Sequence, residues 1–231
     1  MKKIYMTFLI IFLIVPVVFA DIAVQTDQPV YNLGNRIKAS ASVLRDKNFD
    51  GLFKLAISCG GYKLSYFLTP ISLEGNARTA VNVPDVQATS QMLGNCSIIG
   101  DLTTNENLLI EEKESNWFRI TNELKILPVN SRITSSPSDT IQIAAVVNEA
   151  FGNNVLKAPA KIELDNNTYS TEAVDGKFSY SIPLPRNIKS GKHLIKVTAA
   201  DSRNNFGDAF FLFGHYSYTE LHPDGIEPES N

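Results

Sequence analysis

The chain has 231 residues, of which 44% are hydrophobic and 19% charged, with two cysteines and a formal net charge of -3. The hydrophobic fraction is that of a globular protein, which excludes wholesale disorder, and two cysteines are too few for a disulfide-dense miniature scaffold. The acidic balance excludes nucleic acid and anionic membranes as main partners, because both recruit basic patches. The length suits one large domain or two small ones.

The first 20 residues have the pattern of a secretory signal peptide. Lys2 and Lys3 give a positive start, residues 4–20 carry no charge, and Val18 and Ala20 are small enough for a signal peptidase. We predict a signal at residues 1–20 and a mature chain with 19 basic and 24 acidic residues, hence a charge of -5. An uncleaved anchor is the alternative, since the run reaches the lower limit of roughly 17 residues for a membrane span. The predicted location is therefore secreted, extracellular or cell envelope, with no membrane span in the mature chain.

The predicted export changes the meaning of the two cysteines. Outside the cytoplasm a pair of thiols oxidises, so we predict a disulfide between Cys59 and Cys96. It would close a loop of roughly 38 residues and contribute about 3–4 kcal/mol on the chain-entropy model. A reactive or metal-binding pair is the alternative, but neither cysteine has a basic or histidine neighbour in sequence.

Short runs rich in Val, Ile, Phe, Tyr and Thr follow one another along the mature chain and are broken by Gly, Asn, Asp and Pro. Such runs are typical of β-strands, and the predicted fold class is all-β. The predicted strands are residues 36–44, 52–59, 62–68, 77–83, 96–99, 117–121, 140–147, 161–164, 178–184, 193–200 and 209–213. Residues 105–113 fit a short helix or a strand equally well. A break at Pro128 predicts one sandwich at 21–128 and another at 129–214, followed by a flexible polar tail at 215–231.

Two stretches carry a resemblance to known families. Residues 26–34, Thr-Asp-Gln-Pro-Val-Tyr-Asn-Leu-Gly, followed by the strand-like run 36–43, resemble the opening of macroglobulin-type and other immunoglobulin-like repeats. The turns at 175–178 and 190–193 and the run 197–201 resemble immunoglobulin-like repeats of bacterial and archaeal surface proteins. The resemblance implies two tandem immunoglobulin-like antiparallel β-sandwiches, and it specifies fold rather than function. With 52–59 as third strand and 96–99 as sixth, the predicted disulfide would join neighbours within one sheet.

No catalytic motif is recognisable, so we predict a protein that is not an enzyme and needs no cofactor. Asp46, Asn48 and Asp50 followed by Gly51 match the first half of a calcium loop, but its twelfth position is Ile57 instead of an acid. A polar hairpin that turns at Asp50 and Gly51 is therefore the favoured interpretation. The three oxygen-bearing residues remain weak calcium candidates, and no firm metal site is predicted.

Two sequons predict candidate glycosylation sites. Asn95 precedes Cys96 and Ser97, whereas Asn166 precedes Asn167 and Thr168 in a predicted turn. The turn makes Asn166 the better acceptor.

Two aromatic surfaces are candidates for binding. Tyr62, Tyr66 and Phe67 belong to a run whose two faces both carry aromatics, which predicts a protein or glycan site or a contribution to the core. In the last strand Phe210 and Leu212 oppose a second apolar face, whereas a strand with one wet face alternates. We expect the first domain, another subunit or the tail to cover them, which includes self-association through this strand.

These observations predict a secreted or cell-surface, non-catalytic structural or adhesive binding protein whose partner is a protein or glycan at the cell envelope. A carbohydrate-binding accessory module is one alternative. A periplasmic two-domain chaperone for surface fibres is another, although such chaperones tend to be basic and this mature chain is acidic.

Overall fold

The computed structural model describes residues 20–129, 132–135, 140–184 and 188–215. Of the predicted signal peptide and tail, only Ala20 and His215 lie among them. Within these residues β-strands dominate and one 3₁₀ turn, Ser90–Met92, is present. The strands of the first half are β1 (Ala20–Thr26), β2 (Val30–Asn32), β3 (Arg36–Ile37), β4 (Ala39–Arg45), β5 (Phe49–Cys59), β6 (Tyr62–Leu73), β7 (Arg78–Val81), β8 (Val86–Gln87), β9 (Gly94–Thr103), β10 (Leu109–Glu114) and β11 (Phe118–Thr121). Those of the second half are β12 (Leu124–Pro128), β13 (Arg132–Ser135), β14 (Thr140–Glu149), β15 (Lys157–Leu164), β16 (Asn167–Val174), β17 (Lys177–Pro183), β18 (Gly191–Ala200) and β19 (Phe206–His215).

The two halves repeat one strand order. In the first half β1-β4-β7 form one sheet and β2-β11-β9-β5-β6 the other, with β10 also paired to β9. The second half repeats this as β12-β14-β17 and β13-β19-β18-β15-β16, and within the described residues the strand pairing that joins the two parts is that of the β16–β17 hairpin. In the first half β1, β4 and β7 thus oppose β5, β6, β9 and β11, and in the second half β12, β14 and β17 oppose β15, β16, β18 and β19. This division of seven strands into three and four is that of an immunoglobulin-like sandwich. The predicted all-β fold class of two tandem sandwiches is confirmed.

Each half contains its own hydrophobic core. Alternate residues of β5 and β9, among them Phe53, Leu55 and Ile98, fill the first core and are fully buried. This alternation follows from the strand period of two, which sends successive side chains to opposite faces. The second core takes alternate residues of β14 and β18, among them Ile143 and Val197.

The segment between the two cores pairs with the second half. β12 lies against β14, and its Leu124 and Ile126 are buried in the second core. These residues precede the break at Pro128 that the sequence suggested, so a division drawn by core membership falls before Leu124. The division at residues 128 and 129 stays a prediction.

The predicted hairpin turn at Asp50 and Gly51 is wrong. Both residues lie inside β5, and β4 and β5 belong to opposite sheets, so the chain crosses between sheets at residues 46–48. Gly51 is needed for close strand packing, because a Cβ there would lie 2.3 Å from the carbonyl oxygen of Thr103 on β9. The ambiguous segment 105–113 forms mainly a strand, β10. Across the described ranges, no helix is long and apolar enough to span a bilayer.

Candidate binding groove and interdomain joint

The predicted disulfide between Cys59 and Cys96 is present. The two residues are direct partners in the register of β5 and β9, and both are buried. The bridge therefore joins neighbouring strands within one sheet, as the strand assignment implied. It ties the end of β5 to the start of β9, beside the Gly60–Gly61 turn that leads into β6, and so braces the sheet that carries the groove described below.

The two sandwiches meet at a joint centred on Asn205, which is fully buried between β18 and β19. Its Nδ2 donates to the carbonyl oxygen of Leu33 at 3.1 Å and to Oδ2 of Asp201 at 2.8 Å. Its Oδ1 accepts from the backbone N–H of Leu33 at 3.0 Å and from Nδ2 of Asn32 at 3.3 Å. An amide side chain offers two donor hydrogens and two acceptor positions, and all four are used here.

Asn32, at the end of β2, extends this contact to two further segments. Its Nδ2 also donates to the carbonyl oxygen of Glu123 at 2.9 Å, and its Oδ1 accepts from the backbone N–H of Ala150 at 2.7 Å. The backbone adds a third connection, because the N–H of Phe206 donates to the carbonyl oxygen of Asn122 at 2.7 Å. The joint therefore connects three parts of the chain: the segment between β11 and β12, the turn after β2, and two loops of the second sandwich.

A charged cluster closes one side of the joint. Nη2 of Arg203 contacts Oε1 of Glu149 at 2.5 Å and Oδ2 of Asp201 at 3.0 Å. Nδ2 of Asn35 donates to the same Glu149 oxygen at 3.2 Å. Burial alone would raise the pKa of the Asp201 carboxyl, but hydrogen bonds from Asn205 and from the Arg203 backbone outweigh it and lower that pKa. The Asp201 carboxyl is thus held in its ionised form, and Arg203 is paired within the cluster to both Glu149 and Asp201.

Gly34 permits the close approach of the two sandwiches. Its φ is +80°, a left-handed conformation that side chains with a Cβ rarely adopt, and a Cβ there would lie 2.4 Å from Cδ of Arg203. No functional role for the joint was predicted from sequence. The residues of the joint do fall in the stretches that resemble immunoglobulin-like repeats, since Asn32 lies within the first, Gly34 ends it and Asp201 ends the second, but neither stretch indicates that the two meet.

A groove of about 480 Å³ lies on the larger sheet of the first sandwich. It is lined by Lys54, Ser65, Tyr66, Phe67, Leu68, Asp101, Thr103 and Asn107. β6 carries a bulge here, since Leu55 of β5 pairs with Phe67 and the next residue pairs with Ser65, which leaves Tyr66 as the additional residue. A bulge redirects side chains and is over-represented near functional sites.

Two polar atoms of this groove are buried without a hydrogen-bond partner, namely Oη of Tyr66 and Oδ1 of Asp101. Burial raises the pKa of the Tyr66 phenol to about 12, so it remains a hydrogen-bond donor throughout the physiological range. All three residues of the predicted aromatic surface, Tyr62, Tyr66 and Phe67, pack half-buried against the first core, and Tyr66 and Phe67 also line the groove, whereas Tyr62 does not.

The second sandwich carries a groove of about 560 Å³ on its corresponding sheet. Lys161, Ser170, Lys196, Thr198, Phe206 and Asp208 are among the residues lining it. Lys161 pairs with Glu163 on the same strand. Beside the groove Phe210 and Leu212 are 54% and 41% exposed, so the first domain does not cover them. Cover by another subunit or by the tail stays a prediction.

Two of the three weak calcium candidates have protein partners. Oδ1 of Asn48 accepts from the backbone N–H of Gly75 at 2.8 Å, and Oδ1 of Asp50 accepts from the Ser72 hydroxyl. In the part of the chain that the structure describes, no group of three or more His, Cys, Asp or Glu side chains is placed to hold a metal ion. Oδ1 of Asp46 is buried without a partner.

The two sequons differ in accessibility. Asn166 and Thr168 are both exposed around the turn between β15 and β16. Asn95 is exposed on β9, but Ser97 of its sequon is buried. The preference for Asn166 is consistent with this exposure, and glycosylation at either position stays a prediction.

Comparisons with known proteins give no family. The sequence matches no family model, and it matches no curated protein. Among solved structures it resembles a β-glucosidase from Erythrobacter marinus, with TM-score 0.34 and 13% identity over 45% of this chain and 16% of that one. It also resembles a tetra-tandem repeat from the extending region of a large adhesion protein, with TM-score 0.32 and 10% identity over 86% of this chain and 50% of that one. A third likeness is to the titin Ig tandem domains A164-A165, with TM-score 0.31 and 11% identity over 86% of this chain and 97% of that one.

Proposed function

We propose that the chain is a secreted or cell-surface, non-catalytic binding protein in which two immunoglobulin-like sandwiches act as one rigid unit. The observation that carries this proposal is the joint. It engages the β14–β15 and β18–β19 loops of the second sandwich through Glu149, Ala150 and Asn205. Loops at sandwich ends are common binding elements, and these two are occupied by the first sandwich.

The corresponding loops of the first sandwich lie at its other end. Leu33 and Gly34 are at the joint, β4 runs from there to Arg45, and residues 46–48 follow at the far end. The loop between β9 and β10, residues 104–108, lies at the same far end, because Thr103 at the end of β9 pairs with Leu52 near the start of β5. It corresponds to the β18–β19 loop of the second sandwich. A rigid unit with one free end and an exposed groove on each sandwich suits a module that holds a contact surface away from its point of attachment.

The joint gives no support to the chaperone alternative. A chaperone of that kind offers an unpaired cleft arginine or lysine to the C-terminus of its client, whereas Arg203 is held by Glu149 and Asp201. The buried disulfide supports an oxidising compartment, in which a cross-link between Cys59 and Cys96 persists.

The experiment is to express the full chain with its own first 20 residues and to follow its location and processing. We expect protein in the medium or accessible to surface biotinylation, with Asp21 as its first residue by mass spectrometry and no free thiol. The matched control lacks residues 1–20 and should stay inside the cell with both thiols free. A full chain that remains intracellular with its leader intact contradicts the proposal.

A further inference from the structure

We propose that the groove between β5, β6 and β9 binds a hydroxyl-rich ligand, a sugar residue, through Tyr66 and Asp101. This inference rests on the proposed function as a binding protein and names the class of ligand.

The first step is the pair of unsatisfied atoms. Oη of Tyr66 and Oδ1 of Asp101 are buried, have no hydrogen-bond partner, and belong to residues that line the same groove. Folded proteins rarely leave such atoms unpaired, because each loses its contact with water and gains nothing in return. Because both side chains also line the groove, a small side-chain rotation would present these two atoms to a partner from outside the chain.

The second step is the backbone that places them. β6 pairs regularly with β5 on either side of Tyr66, and the bulge occurs at this residue. Lys54, between the two strands, faces Leu68 on β6 and Asp101 on β9. Tyr66 lies two residues before Leu68 on β6, so its phenol shares the face that carries the Lys54 ammonium and the Asp101 carboxylate, and the bulge adds Ser65, the partner of Ala56, to the same face.

The third step is the class of ligand. Asp101 disfavours an anion and Lys54 disfavours a cation, so a neutral ligand fits the balance of charge. The Tyr66 phenol donates, the Asp101 carboxylate accepts, and Ser65, Thr103 and Asn107 supply groups that do either. A sugar carries several hydroxyls, each both donor and acceptor, and a groove of about 480 Å³ falls in the size range of small-ligand sites.

The second sandwich supplies an internal control. Its groove lies on the equivalent sheet, but Lys161 is paired with Glu163. None of the residues that line it is among the described residues with a buried polar atom lacking a partner. We therefore expect the first groove, and not the second, to bind.

The test uses the disulfide-bonded mature chain, ¹⁵N-labelled and titrated with glucose, galactose, mannose, N-acetylglucosamine and their disaccharides. We expect saturable shifts at the amides of Lys54, Tyr66 and Asp101 with at least one sugar. Tyr66→Phe and Asp101→Asn should each weaken that binding at least tenfold, while Lys161→Ala should leave it unchanged. Tyr66→Phe should fold with no loss of stability, because it removes a hydroxyl that is desolvated and unpaired in the free protein.

Three outcomes overturn the inference. They are the absence of sugar-dependent shifts at these amides up to millimolar concentration, binding that Tyr66→Phe leaves intact, and a crystal structure in which a bridging water alone satisfies both atoms in the presence of sugar. Any of these with the protein at the cell surface leaves the proposed function standing. An intracellular chain with its leader intact contradicts the proposed function, whatever the sugar titration gives.

Discussion

Asn205→Ala is the substitution that tests the joint most directly. Asn205 is fully buried and its side chain makes four hydrogen bonds, two of them to the backbone of Leu33. Its loss has unequal effects on its partners. The Leu33 N–H keeps a second acceptor in the carbonyl oxygen of Thr121 at 3.0 Å, and Asn32 Nδ2 keeps the carbonyl oxygen of Glu123.

The carbonyl oxygen of Leu33 is the group for which the structure gives no second donor after the substitution. A buried carbonyl left without a donor costs about 1–3 kcal/mol. The loss of the hydrogen bonds from Leu33 N–H and Asn32 Nδ2, which each keep another acceptor, and the cavity left by the side chain add about 1 kcal/mol. We therefore expect Asn205→Ala to lower the free energy of unfolding by about 2–4 kcal/mol. We also expect the thermal unfolding of the two sandwiches to separate, because the contact that couples them is weakened.

The assay is urea denaturation followed by circular dichroism, together with scanning calorimetry. Ser202→Ala is the matched control, since Ser202 is exposed in the same loop, and it should unfold like the wild type. A change of less than about 0.5 kcal/mol in Asn205→Ala, or an equal loss in Ser202→Ala, would refute the reasoning.

Three further predictions concern the joint and the disulfide. Gly34→Ala should cost about 1–3 kcal/mol in urea denaturation, because it adds a left-handed strain and drives a Cβ against Arg203, and a neutral effect would contradict this close approach. Because the pKa of Asp201 is lowered in the folded chain, its contribution to stability should be constant above about pH 5 and decline as the pH falls below about 4, where the unfolded chain takes up the proton first. Asp201→Asn should flatten the unfolding free energy over that acidic range, and an unchanged acid slope would count against the hydrogen bonds assigned to Asp201. Replacing Cys59 and Cys96 by alanine should lower the free energy of unfolding by about 3–4 kcal/mol. Dithiothreitol should lower the free energy of unfolding of the wild type but not that of the double variant.

The sequence predicted features that depend on local composition. Runs such as residues 140–147 and 193–200 are rich in β-formers and alternate, so they appear as β14 and β18. The disulfide followed from the predicted compartment alone. β16 was not predicted, because Asn167–Val174 is dominated by polar residues and only Ala173 is deeply buried.

The joint and the groove depend on contacts that composition does not contain. Leu33 and Asn205 are 172 residues apart, and the sequence around either residue contains no feature that predicts the hydrogen bonds between them. The groove needs β5, β6 and β9 in register and a one-residue bulge at Tyr66. Gly51 illustrates the same limit, because Asp-Gly is a common turn signal and here it serves a close contact between strands.

The central claim is that the joint makes the two sandwiches one rigid unit. Residual dipolar couplings of the ¹⁵N-labelled mature chain, measured separately for β5 and β9 and for β14 and β18, test it directly. The joint predicts that one alignment tensor fits both sandwiches in the wild type, and that Asn205→Ala requires two tensors of different magnitude. Two different tensors in the wild type would contradict the claim.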